Sequence, residues 1–448
     1  MSLRQKRCPS WFVGAVMTLA SLWALPAAAG NDDSLLLGDE AALTGGAVAA
    51  KIKDGTALWY NPAGLAAVDR DQADISASIF VMRYHRVKNV MSANGGEASS
   101  SITEFVAAPG ALSYVRPLSK DVRLGLGLFV PQASDYTMRA SLVPSQTDGS
   151  SRGDVSVGFT GYQYQGSIGL GWRVTPKLNL GVALLGSYNS VYGAAQFGVG
   201  RTVETMDFAA AASTLASNQY FGLELGVGAQ LQLAPQWRLG VAVRSPGLVI
   251  LRSVRDTTLT VAGVVTPDGA SVEYLPEEED EFRFGADVYS PMRVRIGVAH
   301  EWRTGWVSLE GDVQHGLKTS NLDVDREFVW NARLGGKVWL SEHFALGAGL
   351  FTDRSSSPTP VEFTETQLDF YGLATGLQYS SAHKLAAEEP ADDIVFSTTL
   401  GLRYAYGSGS MGNLTFDATL EDEEFITSQR SDYTVHELAL HLGSALYF

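Results

Sequence analysis

The sequence predicts an all-β protein, a transmembrane antiparallel β-barrel of about 14 strands with an N-terminal plug inside its lumen. Three observations carry that prediction. From Ala73 onward, large apolar residues alternate with small or polar ones at the two-residue period of a strand. The connections between these stretches are short and long by turns. The segment ahead of the first strand lacks the alternation and is still apolar.

Composition agrees with each element. The chain has 448 residues, 45% apolar and 18% charged, which excludes a disordered chain. Its mean hydropathy of +0.02 is too low for a bundle of membrane helices, and beyond the leader no run reaches the roughly 18 apolar residues such a helix needs. The 47 glycines, 17 tyrosines and 9 tryptophans suit strands that require close backbone approach and amphipathic aromatic anchors.

Residues 1–29 read as a secretory signal: Arg4, Lys6 and Arg7 precede the apolar run Trp11–Leu25, and Pro26-Ala27-Ala28-Ala29 supplies small residues for cleavage before Gly30 or Asn31. Cys8 lies ahead of the apolar run, so the mature chain has no thiol chemistry. Loss of the three basic residues leaves 30 Lys and Arg against 48 Asp and Glu, which argues against nucleic acid as a partner. The acid is clustered at Glu277–Glu281, Glu388-Glu389, Asp392-Asp393 and Glu421–Glu424. Such runs are solvated loops or, facing outward, sites for divalent cations beside lipopolysaccharide.

The strands are expected at 73–85, 110–117, 121–132, 155–174, 177–192, 219–233, 237–258, 282–301, 305–316, 327–340, 343–353, 368–380, 394–407 and 435–448. In the first, Ile75, Ala77, Ile79 and Val81 share one face. Stretches such as Leu124-Gly-Leu-Gly-Leu-Phe129, Leu225-Gly-Val-Gly-Ala229 and Leu346-Gly-Ala-Gly-Leu350 put large apolar residues on one face and almost nothing on the other. Short turns fall at 117–120, 175–176, 234–236, 303–304 and 341–342, and long loops at 86–109, 133–154, 193–218, 259–281, 317–326, 354–367 and 408–434. Short periplasmic turns and long outward loops mark an outer-membrane barrel. Ser381–Asp393 breaks the parity, through an inserted turn or a slip in the count. Counting back by twos from Phe448 gives Leu446, Ser444, Leu442, Leu440 and Leu438, an amphipathic last strand whose terminal Phe suits recognition by the barrel-assembly machinery. Residues 30–72 form either a plug or a periplasmic arm; Leu43, Val48, Ile52, Leu58, Trp59, Tyr60 and Leu65 are too apolar for the arm. Residues 73–448 then form the barrel in outer-membrane lipid and lipopolysaccharide.

The run from Leu43 to Leu65, closing on Trp59-Tyr-Asn61-Pro62-Ala63-Gly64-Leu65, resembles the plug of the FadL/TodX family, outer-membrane transporters of long-chain fatty acids and other hydrophobic compounds. The Asn-Pro-Ala turn is the family's most recognisable element, and Asp54 matches an Asp common upstream of it. Leu112–Gln132 and Pro291–Asp312 are similar to two of the family's hairpins. The resemblance implies a 14-strand barrel blocked by its plug, ligand capture among outward loops, and sideways exit where the third strand kinks.

Pro131 cannot donate to a strand ladder. Either Phe129, Val130, Pro131 and Gln132 open a lateral gap in the third strand, or Pro131 starts an outward loop. Val203–Ser217 reads as helix-forming, with Met206, Phe208 and Leu215 as an apolar patch; the loop 259–281 adds Val265 and Tyr274. Together these are a landing site for a greasy ligand, a lid on the barrel, or both. The acidic loops give a carboxylate no steering, so a neutral hydrophobic compound competes with a fatty acid as ligand. No cofactor, metal site or enzyme is expected: the Gly-x-Gly pairs lie in strands, and His436 and His441 are five apart, on opposite faces. A structural or adhesin-like barrel displaying acidic loops is the alternative function. A polar porin is disfavoured by the plug.

Overall fold

The computed structural model describes residues 31, 35–93, 96–142, 151–203, 206–266, 269–319, 322, 324–381, 394–416 and 426–448. The expected leader at 1–29, the acidic runs at 388–393 and 421–424, and most of Ser381–Asp393 lie outside the described residues.

Strands β1 to β6 are Gln72–Ala93, Gly96–Pro117, Val122–Leu142, Ser151–Thr175, Leu178–Val203 and Met206–Ala234. β7 (Trp237–Arg244) and β8 (Gly247–Thr266) form one wall strand interrupted at Ser245-Pro246; β9 (Gly269–Ser290) and β10 (Arg293–Trp302) form another, interrupted at Pro291-Met292. β11 (Gly305–Gln314) is followed by a small hairpin, β12 (Leu317–Thr319) and β13 (Val324–Arg326). Then come β14 (Val329–Trp339), β15 (Phe344–Asp353), β16 (Thr366–Ser380) and β17 (Val395–Gly412), the short β18 (Leu414–Phe416) and β19 (Ile426–Thr427), and β20 (Arg430–Tyr447). Among the described residues these make a closed ring of 14 antiparallel strands. β20 closes it on β1, from Gln72 against Tyr447 to Val87 against Tyr433. Closure joins the first and last strands, so backbone stays unpaired only where neighbouring strands part, and in lipid each unpaired group would cost several kcal/mol. Ser380 pairs with Ser397, so β16 and β17 are neighbours and the count does not slip at 381–393.

Three expectations are corrected. First, much of the predicted loop at 86–109, 133–154, 193–218 and 259–281 is paired strand. A strand needs about 9–11 residues to cross a membrane, and β6 has 29. The excess projects as long hairpins that satisfy their own backbone. Second, the helix expected at Val203–Ser217 is strand from Met206 on, with Phe208 paired to Arg201 on one side and Val264 on the other. Alanine's helix preference amounts to tenths of a kcal/mol per residue and yields to two ladders that bond the segment on both edges. Third, Ile75, Ala77, Ile79 and Val81 do not share a face: Ile75 is 61% exposed and Val81 0%. A bulge between Ser78 and Phe80 inserts one unpaired residue, and side-chain parity inverts beyond it.

The rest of the alternation holds. Leu126, Leu128, Ile168, Leu170, Leu309 and Leu334 are exposed on the outer surface, as are Leu442, Leu446 and Phe448 at the chain end. The wall glycines face inward, and what they face is the N-terminal segment. Leu35–Val68 lies within the ring as helix α1 (Asp39–Thr44), helix α2 (Ala57–Tyr60) and a 3-10 helix (Pro62–Ala67). It touches β3, β4, β5, β6, β14, β15, β16, β17 and β20, which a dangling arm could not do. A Cβ on Gly171 would overlap Ala66, one on Gly181 Pro62, one on Gly240 Ala49, and one on Gly335 or Gly349 the Thr44 carbonyl. The repeated Gly-x-Gly pattern therefore cuts the groove in which the segment lies.

Candidate functional site

The inner segment is seated by polar contacts at several points. Asn61 caps the 3-10 helix by accepting from Ala63 N (3.2 Å), and its amide donates to Ala49 O (2.8 Å) and across to Ala229 O of β6 (3.1 Å). Pro62 then starts that helix, where its missing N–H costs nothing. Gly64 has no room for a Cβ beside the Ile52 carbonyl, and Leu65 fills the space over Gly125 and Gly171. From the wall, Arg244 stacks on Trp59 at 4.0 Å and donates to its carbonyl (2.8 Å), and Gln230 donates to Ala49 O and Ile52 O. Glu310 accepts from Ala49 N (2.7 Å), and Lys51 pairs with Glu301 (2.7 Å) and Lys337 with Glu40.

Asp54 sets the turn before α2, accepting from the Thr56 backbone N–H (2.8 Å) and hydroxyl (2.5 Å). Burial first, then the Asp74 carboxylate of β1, pushes its pKa up to about 7. The unfolded or undocked carboxyl titrates near the ordinary 3.8, so between those values the docked segment holds the proton more tightly. Docking is accordingly firmest below the lower value and weakens as pH rises to the upper one. Backbone hydrogen exchange at 52–60, corrected for intrinsic rates, should show more frequent opening at about pH 8 than at about pH 5. Asp54→Asn should shrink the difference, leaving the share of Asp74, whose pKa burial also raises; an unchanged pH response in that variant would refute the assignment.

At the third strand the wall is interrupted. β2 and β3 pair only from Pro117 against Arg123 to Ala111 against Phe129. Beyond that, β2 continues on β1 to Gly96 and β3 continues on β4 to Leu142, with no ladder between them. Pro131 does not start a loop. Phe129 pairs with Gln165 and Gln132 with Gln163, so Val130-Pro131 are two residues opposite one, a bulge. It reverses the facing of β3: Gly125, Gly127 and Phe129 point inward before it, Ser134 and Tyr136 after it. Side chains span the opening. Glu104 accepts from Ser134 Oγ (2.8 Å) and Asp135 N (2.6 Å), Ser100 donates to Arg139 O (2.7 Å), and Arg83 donates to Ala133 O (3.0 Å).

Above the inner segment lies a cavity of about 270 Å³. Asn31 and Trp59 form part of its lining, and Gln132, Ala133 and Ser134 bring it to the interrupted strand. Tyr136 and Phe159 (centroids 5.6 Å apart) and Tyr220 and Tyr289 (5.2 Å) give it aromatic walls. Buried ion pairs brace the lumen: Arg83 and Arg403 both hold Glu437 (2.7 and 2.8 Å), and Arg293, Arg295 and Arg333 hold Asp312 and Glu310; the His85 ring hydrogen-bonds Glu104 (3.0 Å).

Sequence reading misses these charges. Their signal is present, because Arg293-Val-Arg295 and Glu310-Gly-Asp312 each put two charges on one strand face. The five capture residues are divided. Leu215, Val265 and Tyr274 are exposed, share one register face of the projecting β6–β8–β9 sheet and do not line the cavity, whereas Met206 and Phe208 occupy backbone positions of the alternate register.

A closed ring with an apolar exterior, a segment packed in its lumen and one interrupted seam defines a membrane-spanning β-barrel. No family model and no curated protein sequence matches the chain. Its fold is that of solved outer-membrane channels. The toluene transporter TodX of P. putida aligns with a TM-score of 0.57 at 15% identity, over 95% of this chain and 99% of that one. A FadL homologue of Pseudomonas aeruginosa gives 0.53 at 13%, over 95% and 99%, and the toluene transporter TbuX of Ralstonia pickettii 0.51 at 13%, over 93% and 99%.

Proposed function

We propose that the chain is a FadL/TodX-type channel of the Gram-negative outer membrane, taking up hydrophobic molecules passively and releasing them sideways through the β2–β3 seam. The observation that carries this reading is the coincidence of cavity and seam: the backbone ladder ends at Ala111–Phe129, and the next residues of β3 line the cavity. A molecule held there faces a wall closed by a few side-chain contacts, while Asn61, Pro62 and the inner segment block the straight path. Trp59, in the cavity lining, links ligand to plug. The exposed apolar face carrying Leu215, Val265 and Tyr274 is the capture surface, and Phe448 hands the nascent barrel to the assembly machinery.

Loss of the gene should slow growth on a hydrophobic carbon source, a long-chain fatty acid or an alkylbenzene, and the restored gene should recover it. Unaltered growth on both, with the barrel normally present in the outer membrane, would favour the scaffold or adhesin reading instead.

A further inference from the structure

We propose that the lumenal cavity is a site for a small aromatic carboxylate, its ring among the tyrosines and its carboxylate on Arg83 and Asn189; this rests on the channel reading above. Size sets the first limit. A cavity of roughly 150 Å³ accommodates benzene, and this one, at about 270 Å³, has space for a ring with a short substituent. The aromatic pairs Tyr136–Phe159 and Tyr220–Tyr289 provide faces for such a ring.

The polar lining sets the second. Most of the cavity's arginines are neutralised by carboxylates in or behind the wall, so net charge alone decides nothing. Two donors are left over. Arg83 uses Nε on Glu437 and Nη1 on Glu104 and the Ala133 carbonyl, while its Nη2 has no partner among the described residues; the residue is 6% exposed. The Asn189 amide nitrogen has no partner either, and that residue is 7% exposed. Both residues line the cavity. A third cation of the lining, Arg326, bonds the Ser357 hydroxyl (2.9 Å) and has no carboxylate partner among the described residues. Buried donors without acceptors are costly, and more so when charged. An alkylbenzene offers them nothing. A carboxylate offers two oxygens, and the hydrogen bonds it accepts are of the strong, charge-assisted kind.

The test compares cinnamate with trans-β-methylstyrene, which has nearly the same shape and no acceptor. Binding of radiolabelled probes is measured on the purified full barrel in a nonionic detergent, and flux in proteoliposomes of neutral lipid. Cinnamate should bind at least tenfold more tightly. Asn189→Leu should cost cinnamate five- to tenfold and the hydrocarbon under twofold. Arg83→Lys, which keeps the charge but loses Nη2, should narrow the preference in the same direction. Equal or tighter binding of the hydrocarbon overturns the ligand assignment while leaving a channel; absence of flux for both probes through a folded barrel overturns the channel reading itself.

Discussion

Gly335→Leu is expected to turn a closed barrel into a conducting one. The glycine lies on β14 with its missing side chain aimed at the Thr44 carbonyl, and the corresponding position on the neighbouring strand, Gly349, meets the same carbonyl. A Cβ alone overlaps the backbone of the inner segment; a leucine adds three carbons more. Inserting even single methylenes into a packed site costs about 1–3 kcal/mol, and here the obstacle is a main chain that cannot rotate away. The ring is held by continuous ladders on both sides of β14, whereas the inner segment is held by scattered hydrogen bonds and ion pairs. The weaker partner yields, so the segment undocks and the wall survives. Planar-bilayer recording should show conductance at least tenfold above that of the parent, with the folded barrel's heat-modifiable gel mobility retained. Gly198→Leu is the control, because a Cβ there meets nothing within 4 Å. Folded Gly335→Leu barrels that conduct no better than the parent would show that the segment does not close the lumen.

The same glycines explain how much of the molecule is legible in the sequence. Strand number and order follow from alternation, since lipid on one side and a packed lumen on the other enforce a two-residue period. The seat of the inner segment is written in the tiny residues opposite Leu124, Leu126 and Leu346. Strand length is hidden: beyond the membrane both faces of a hairpin meet water or one another, and the period at 86–109 or 193–218 loses its contrast. The bulges at Ile79 and at Val130-Pro131 are hidden for another reason. One extra residue exchanges the two faces, so Val81, Arg83 and His85 look outward-facing when counted from Ile75 and are buried in the lumen. Pro131 announces its bulge because it cannot donate to the ladder; the first bulge has no proline to announce it. The ion cluster of Arg83, Glu104, Arg403 and Glu437 draws on β1, β2, β17 and β20. Sequence separation alone gives no sign that these four strands converge.

That convergence beside the seam gives the second large effect. Joining β2 to β3 above Phe129 by a disulfide should stop uptake without disturbing the barrel. Val106 and Ala133 lie in one buried cluster with Val81, Val130 and Ala439, on the two sides of the unpaired stretch. The chain has one cysteine of its own, Cys8, which a serine replaces in every variant. A bond between them holds together the strands that must part if ligand leaves sideways, and it adds nothing to the path through the plug. Oxidised Val106→Cys/Ala133→Cys protein should therefore lose at least nine-tenths of its uptake and regain it with dithiothreitol, while either single variant transports normally throughout. A cross-link shown by mass spectrometry to be complete, with uptake undiminished, would exclude the seam as the exit and direct attention to a path past Asn61. Should uptake fall in the single variants as well, packing of the cluster and not parting of the strands would be the cause, and the lateral route would lose its support.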